Sequence, residues 1–312
     1  MFGRRRQDTG STAEAGFAAG PVWVRAAAGS VVGNRYRANF DVLGLEPELR
    51  LAAVADGMGD GPGSTAAGRI TMNEFTASIR RASAAGIGPD PAALRASVAG
   101  IQDLVLAAAA GLSGFTGCTL TALIAEPDPR PEAAAAAAWL VQIGDSRAYR
   151  LRAGQLDLLT VDHTEAWLGA LYGWYPADSP QAAAARYRLS RYVGHPGRPE
   201  PDVLNVTLRP GDVYLLCTDG VAEQIDYRPL GALLAAPEAP TEIIARLLAA
   251  TLEAGGHDNA TAIVLCVDHR TDQRPDQRPD HRADQHVDHR VDHRADHPAD
   301  HRTARPADDS RT

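Results

Sequence analysis

The sequence contains no lysine, so its positive charge rests on arginine alone. Its 31 basic residues are outnumbered by 39 acidic ones, which gives a formal net charge of −8 at pH 7. Proteins that bind nucleic acids rely on a surplus of basic side chains that face phosphate. The charge balance therefore argues against a nucleic-acid partner.

The sequence also lacks an uninterrupted run of the roughly 20 apolar residues that a membrane-spanning helix requires. The arginines at residues 4–6 resemble the beginning of an export signal, but polar and small residues follow them. We therefore expect a cytoplasmic protein without membrane contact. The three cysteines, Cys118, Cys217 and Cys266, lie inside apolar runs and outside any Cys-x-x-Cys spacing, which favours buried free thiols over disulfides or zinc ligands.

Composition divides the chain into three parts. Hydrophobic residues make up 45% of it, enough for a large core. From Asp268 onward, Asp recurs every fourth residue, and residues 268–312 contain no aromatic residue, Leu or Ile. Such a segment buries too little apolar surface to offset its chain entropy. We expect a flexible N-terminus over residues 1–20, one domain over residues 21–267 and a disordered Asp/His/Arg repeat tail over residues 268–312.

Short apolar runs predict the strands of this domain. Few helix patterns separate the runs, which favours antiparallel sheets. Residues 209–212 predict a turn between two strands, and residues 152–155 predict a hairpin. The predicted strands are residues 22–27, 51–55, 119–125, 138–143, 203–208, 213–217 and 261–267.

Four segments carry helix signals. The Asp-Pro pair at residues 90–91 marks the start of one helix, with apolar residues at helical spacing behind it. Thr241 opens a second helix, and a third follows Gly63. Asp162 and Glu165 have the spacing of a capping box, which predicts a fourth, shorter helix.

Acidic residues mark the points where predicted strands meet turns. Each one alone is typical of a turn, because Asp-Gly and Asp-Asn pairs bond to their own backbone. Clustered carboxylates, however, repel one another unless a cation compensates their charge. Oxygen ligands without His or Cys favour hard ions, which predicts Mg²⁺ or Mn²⁺. The residues concerned are Asp56, Asp145, Asp219 and Asp258.

Seven short motifs then make a family resemblance specific. They are RANFD (37–41), ADGMG (55–59), TGCTL (116–120), IGDSRAY (143–149), LTVDHT (159–164), CTDGV (217–221) and HDNAT (257–261). With these motifs in this order, the sequence resembles the metal-dependent serine/threonine protein phosphatases of type 2C, the PPM family, over about residues 22–267. The resemblance implies an α+β fold in which helices flank both faces of a central antiparallel β-sandwich.

The resemblance also implies a metal centre at one end of the sandwich. Asp56 would bridge two Mn²⁺ or Mg²⁺ ions, with the Gly57 carbonyl on one of them, while Asp219 and Asp258 would bind the second. Asp145 would help to hold a weaker third ion. The implied catalytic residues are Asp41, which orients metal-bound water, Asp56 and Asp219.

The implied reaction is hydrolysis of phosphoserine or phosphothreonine in proteins by direct attack of metal-activated water. Such an enzyme would act in opposition to a serine/threonine kinase. Tyr36 and Phe40 depart from the family pattern, which places a phosphate-binding Arg and a Glu or Gln at these positions. Arg35 and Arg37 flank Tyr36, and their guanidinium groups either bind the substrate phosphate or are solvated surface charges. Met58 stands where eukaryotic members carry a His that protonates the leaving group.

Two other functions stay open. Tyr36 and Phe40 favour a catalytically weak pseudophosphatase that binds phosphoproteins, and the His-rich tail would suit a metal-storage or metal-sensing protein. In the variable segment 171–194, the aromatic residues Tyr172, Trp174 and Tyr175 either contact a phosphopeptide or anchor their loop. His163 is expected to be a packed structural residue.

Overall fold

The computed structural model describes residues 12–59, 61–112, 114–127 and 134–270. The strands are β1 (Thr12–Ala19), β2 (Val22–Val31), β3 (Val42–Glu46), β4 (Leu51–Ala55), β5 (Leu120–Ala125), β6 (Ala136–Ile143), β7 (Arg147–Arg152), β8 (Gln155–Leu158), β9 (Asp202–Leu208), β10 (Val213–Cys217) and β11 (Ala260–His269). The helices are α1 (Pro62–Ala84), α2 (Pro91–Ala109), α3 (Glu165–Tyr172), α4 (Pro180–Ala185), α5 (Asp219–Ala222), α6 (Tyr227–Leu234) and α7 (Pro240–Glu253). The prediction that the disordered tail begins at residue 268 is wrong for Asp268 and His269, because both belong to β11 and pair with β2. From residue 271 onward the predicted tail lies outside the described residues.

The strands form two sheets that pack face to face. One sheet has the order β1-β2-β11-β10-β7-β8 and the other β3-β4-β5-β6-β9. Every pairing within them is antiparallel. A shared core lies between the sheets and contains Val24, Val54, Leu123, Leu140 and Leu216. These contacts confirm the predicted antiparallel sandwich.

Helices cover both outer faces of the sandwich. The apolar sides of α6 and α7 pack on the six-stranded sheet, with Leu230 and Leu247 among the buried residues. The apolar sides of α1 and α2 pack on the five-stranded sheet through residues such as Phe75 and Val98. Central strands are therefore buried on both faces, and every residue of β4 and β5 is buried. This explains why their sequences are continuous apolar runs and do not alternate with polar residues.

The N-terminal segment is more ordered than its composition suggests. The prediction of flexibility over residues 1–20 is wrong for residues 12–19, because β1 pairs with β2 from Thr12↔Gly29 to Ala19↔Val22. Gly20, with φ of 50°, makes the tight turn between the two strands. Phe17 is buried in the core between the sheets. Residues 1–11 lie outside the described ranges.

All four predicted helices exist, although α7 begins at Pro240, one residue before the predicted Thr241, and the cap of α3 also differs from the prediction. Helix α3 begins after Thr164, whose Oγ accepts a hydrogen bond of 3.2 Å from the backbone N–H of Trp167. Asp162 is therefore not the N-cap, because it pairs with Arg147. A two-residue shift of this kind arises because Asp and Thr are both common N-caps.

Helix α2 is the one helix in the described part of the chain that is long and apolar enough to cross a membrane. Its residues Leu94, Val98, Ile101 and Val105 are buried against the five-stranded sheet and α1. The side chain of Asp90 caps it by accepting hydrogen bonds from two backbone N–H groups. One face of α2 is thus packed on the sandwich.

Shortening a side chain in the core between the sheets should destabilise the fold. Leu140 is fully buried in β6, whereas Leu104 of α2 is 47% exposed. We expect Leu140→Ala to lower the free energy of unfolding by about 2 to 5 kcal/mol, since it removes a packed side chain and leaves a void. Urea unfolding followed by circular dichroism measures this change. Leu104→Ala is the matched control, and an equal loss in both variants would contradict the assigned core.

Candidate metal centre

Strand ends from both sheets meet at one end of the sandwich. Strands β4, β6 and β10 end there, and β3, β7 and β11 begin there, because neighbouring strands run in opposite directions. The turns next to these ends carry the acidic residues singled out in the sequence. The structure thus brings together Asp41 before β3, Asp56 after β4, Asp145 between β6 and β7, Asp219 after β10 and Asp258 before β11.

A cleft of about 190 Å³ opens between these turns. Asp56, Asp145, Asp219 and Asp258 line it together with Gly57. Each of the four acidic side chains keeps a partly exposed edge and is otherwise enclosed by protein. The hydroxyl of Thr218 donates a 2.9 Å hydrogen bond to Oδ2 of Asp41, which directly follows the cleft-lining Phe40 in the sequence.

Burial and mutual repulsion disfavour the charged forms of these carboxyl groups. Burial first, and then the charges of Asp219, Asp41 and Asp145, raise the pKa of Asp56 well above its usual value. Burial, followed by the charges of Asp145 and Asp258, likewise raises the pKa of Asp219. Burial is also the main cause that raises the pKa of Asp41 to about 6 and that of Asp145 to about 7.

The carboxylates suit a hard divalent cation. Oδ1 of Asp41 and Oδ1 of Asp219 are buried without a hydrogen-bond partner. Within the described ranges, no three His, Cys, Asp or Glu side chains are already gathered as an ion site, so the acidic groups surround the cleft without converging. A cation would relieve the mutual repulsion of these carboxylates and satisfy the unpartnered oxygens.

Glycine is required where the turn after β4 passes its neighbours. A Cβ atom at Gly57 would lie 2.7 Å from the carbonyl oxygens of both Phe40 and Ser64. Only a residue without a side chain fits between these two groups. This packing brings the backbone of residues 56–57 into the cleft, where the Gly57 carbonyl is predicted to act as a ligand.

Two threonine-centred contacts hold Asp56 in place. The Asp56 N–H donates to Oγ1 of Thr119 at 2.9 Å, and the Thr119 N–H donates to the Asp56 carbonyl at 2.9 Å. Oγ1 of Thr119 also lies 2.7 Å from Oγ of Ser146, the neighbour of Asp145. The sequence motifs contain these residues, but nothing in their spacing reveals that they join two acidic turns.

Asparagine side chains hold the Asp41 turn. The backbone N–H of Asp41 donates to Oδ1 of Asn39 at 3.1 Å, and that of Phe40 donates to Oδ1 of Asn259 at 2.8 Å. Nδ2 of Asn259 donates in turn to the carbonyl of Ala38 at 3.1 Å. The turns next to β3 and β11 are thereby locked to each other.

The two arginines predicted to bind phosphate differ in their surroundings. Arg35 and Arg37 are both exposed, and neither lines the cleft. The charge of Arg35 acts on Asp258, whose pKa it lowers against the larger effect of burial. Tyr36 and Phe40 line the cleft instead, with ring centroids 6.3 Å apart in an edge-to-face contact. A role for either arginine stays a prediction.

His163 is a structural residue, as the sequence indicates. It is 2% exposed, and burial lowers its pKa. Its Nδ1 accepts a hydrogen bond of 3.1 Å from the Gly144 N–H, so its Nε2–H is free to donate to Asp202 at 3.1 Å. Both ring nitrogens are therefore engaged away from the cleft.

The variable segment divides into anchoring and exposed aromatic residues. The hydroxyl of Tyr175 donates to the carbonyl of Glu165 at 2.7 Å, and its ring packs so closely on Gly169 that a Cβ there would overlap it. Tyr172 and Trp174 stack on each other and are 66% and 59% exposed. Tyr187, which the sequence analysis missed, lines the cleft together with Leu189.

Substitutions of Asp219 and Asp212 should have opposite effects on the stability of the protein in chelator. In the presence of a chelator, Asp219→Asn should raise the melting temperature, because it removes one charge from a repelling set. Asp212→Asn should lower stability by about 3 kcal/mol, because it breaks a pair with Arg152 at 2.7 Å. Mn²⁺ should stabilise the wild type and Asp212→Asn but not Asp219→Asn. Thermal unfolding checks this, and destabilisation by both substitutions in chelator would refute the repulsion.

The raised pKa values also predict a pH dependence in chelator. The native pKa values of Asp41, about 6, and Asp145, about 7, exceed the ordinary value of 3.8 expected in the unfolded chain. Between these limits the native protein binds more protons, so its stability falls as pH rises. Urea midpoints should therefore decrease from pH 5 to pH 7.5, and less steeply in Asp145→Asn. An equal slope in the variant would argue against the assigned shift.

Comparisons with known proteins agree with this architecture. A profile of the family described as Protein phosphatase 2C matches residues 41–259, more than two thirds of the 312 residues. Serine/threonine protein phosphatase PstP from Mycobacterium tuberculosis is 33% identical over 221 residues, which cover 69% of this chain and 40% of the relative. The chain thus spans less than half the length of this curated relative.

Solved structures have the same fold. The PPM Ser-Thr phosphatase MsPP from Mycobacterium smegmatis, in complex with cacodylate, has a TM-score of 0.64 and 28% identity, covering 77% of this chain and 97% of that one. The catalytic domain of PstP in complex with two manganese ions has a TM-score of 0.64 and 30% identity, covering 79% and 99%. From the profile match and these relatives, the chain belongs to the protein phosphatase 2C family.

Proposed function

We propose that the chain is a metal-dependent protein phosphatase that hydrolyses phosphoserine and phosphothreonine. The observation that carries this proposal is the set of enclosed carboxylates around one cleft, two of which have unpartnered oxygens. Retaining such a set without cations would only destabilise the fold. Family membership supports the same reading, since the relatives named above are serine/threonine phosphatases.

The bound ions and the protein side chains would contribute different parts of the reaction. Two bound Mn²⁺ or Mg²⁺ ions would supply an activated water and neutralise charge on the phosphoryl oxygens. Asp56, the Gly57 carbonyl, Asp219 and Asp258 are the proposed ligands, with Asp145 at a third, weaker site. Asp41, held by Asn39 and Thr218, has Oδ1 left to accept a hydrogen bond from the attacking water.

Substrates and partners follow from the proposed activity. The proposed substrates are phosphorylated proteins, and a serine/threonine kinase would act in opposition. PstP is named a serine/threonine protein phosphatase, which supports this substrate class although the chain spans only 40% of it. A cytoplasmic location stays a prediction from the sequence. We further propose that the catalytic domain begins with β1, at Thr12, and extends to the end of β11, at His269.

A pseudophosphatase is the second candidate. The rim of the cleft favours it, because Tyr36 and Phe40 occupy positions where the family pattern places a phosphate-binding Arg and a Glu or Gln. None of the described residues that line the cleft is a Lys, Arg or His. A protein with this rim would retain its fold and bind phosphoproteins while turning them over slowly.

Hydrolysis of a phosphothreonine peptide tests both candidates. We expect turnover with Mn²⁺ or Mg²⁺, none with a chelator, and a loss of at least about 100-fold in kcat for Asp219→Asn. Release of inorganic phosphate measures the rate. The control is Asp157→Asn, which alters an ion pair on the β7–β8 hairpin away from the cleft.

The results of this assay distinguish an active phosphatase from a phosphoprotein-binding pseudophosphatase. Equal rates for wild type and Asp219→Asn, or a rate indifferent to chelator, would contradict the metal-dependent mechanism. Absence of turnover under every metal condition, with retained binding of the phosphopeptide, would establish the binding module instead.

A further inference from the structure

Arg147 occupies an unusual place beside the candidate metal centre. It stands two residues after Asp145, at the first position of β7. Its guanidinium group pairs with Asp162 in a two-pronged contact, Nε to Oδ1 at 2.9 Å and Nη2 to Oδ2 at 2.6 Å. The side chains are only 21% and 23% exposed, so solvent screens the pair weakly.

The same guanidinium reaches a third element. Nη1 donates to the Tyr149 hydroxyl at 3.2 Å and lies 3.4 Å from the carbonyl oxygen of Ala222. Ala222 is the last residue of α5, the helix that begins with Asp219. Arg147 therefore connects strand β7, the loop that carries Asp162 and the end of α5.

The charges around Arg147 show which groups it balances. Asp162 and Glu223 both act on Asp145 as like charges, and Arg147 opposes them. Arg147 also acts on Glu223, which follows α5 directly. Without the guanidinium, these acidic groups would repel one another across the gap between β7 and α5.

We propose that Arg147 is a positioning residue of the metal centre, whose two-pronged contact with Asp162 fixes the spacing between Asp145 and the helix that begins at Asp219. This inference rests on the proposed metal-dependent function and deepens it. Groups that orient metal ligands typically change metal affinity by about 10- to 100-fold when they are removed.

A charge-conserving double variant separates positioning from electrostatics. Arg147→Met alone removes a cation near the site, which by charge alone would tighten the binding of Mn²⁺. Arg147→Met combined with Asp162→Asn removes one positive and one negative charge, so the net charge of the region is preserved. Any loss of affinity in the double variant then reports the lost contact and not the changed field.

The hairpin itself offers a matched control. Arg150 and Asp157 form an ion pair at 2.7 Å between β7 and β8, with side chains 22% and 39% exposed. The double substitution Arg150→Met with Asp157→Asn removes the same kinds of groups from the same hairpin, outside the residues that line the cleft.

Calorimetric titration with Mn²⁺ tests the proposal on the full chain. We expect the Arg147→Met/Asp162→Asn variant to bind Mn²⁺ at least about 10-fold more weakly than wild type, while the Arg150→Met/Asp157→Asn variant binds like wild type. Arg147→Lys, a milder change, keeps the charge but not the planar fork and should also weaken binding. Thermal unfolding in chelator verifies that each variant is folded.

The results of the titration support or overturn the positioning role of Arg147. Wild-type affinity in both Arg147 variants would overturn the positioning role while leaving the proposed phosphatase intact. Equal weakening in the Arg150 control would likewise overturn it, since the effect would then belong to the hairpin. If wild type binds Mn²⁺ but hydrolyses no phosphopeptide, the proposed phosphatase activity is wrong. The difference in Mn²⁺ affinity between wild type and the Arg147 variants still tests the role of Arg147. If wild type does not bind Mn²⁺, the metal centre and this inference fall together.

Discussion

Mutual repulsion of enclosed carboxylates is the constraint on which the rest of this structure depends. Burial and neighbouring charges together raise the pKa values of Asp56 and Asp219. Uncompensated, the cluster works against folding, so the surrounding contacts must hold each group at a fixed place. Thr119 fixes the backbone of Asp56, and Thr218 fixes the side chain of Asp41. A site that is costly to assemble is thereby ready to receive cations.

The β-sandwich places the acidic turns next to one another. Antiparallel neighbours alternate in direction, so one end of the two sheets collects both strand ends and strand beginnings. Turns that are far apart in sequence, around Asp41 and Asp258, then become neighbours and are tied together by Asn259. Helix layers pack on both outer faces, and β4 and β5 are buried along their whole length, which keeps their ends from shifting.

The sequence predicts those parts whose signal is local. Central strands such as β4 and β10 read as continuous apolar runs because they are buried on both sides. Strand β1 could not be predicted because its sequence, TAEAGFAA, has no such run, and it is ordered by pairing with β2 and by burial of Phe17 in the core. The acidic residues could be found because each one ends or begins a strand. The cleft-lining role of Tyr187 could not, since it depends on how a distant segment folds back.

In the proposed phosphatase, charge balance would make phosphate binding depend on the ions more strongly than the family pattern implies. The five carboxylates around the cleft would repel a phosphate group, and the described residues that line it include no cationic side chain. Two divalent ions offset four of those five negative charges, so most of the attraction for phosphate must come from them. Arg35, whose charge already acts on Asp258, is exposed and outside the lining. Tyr36 and Phe40 therefore shape the entrance without supplying charge, which ties affinity for substrate to occupancy of the metal sites.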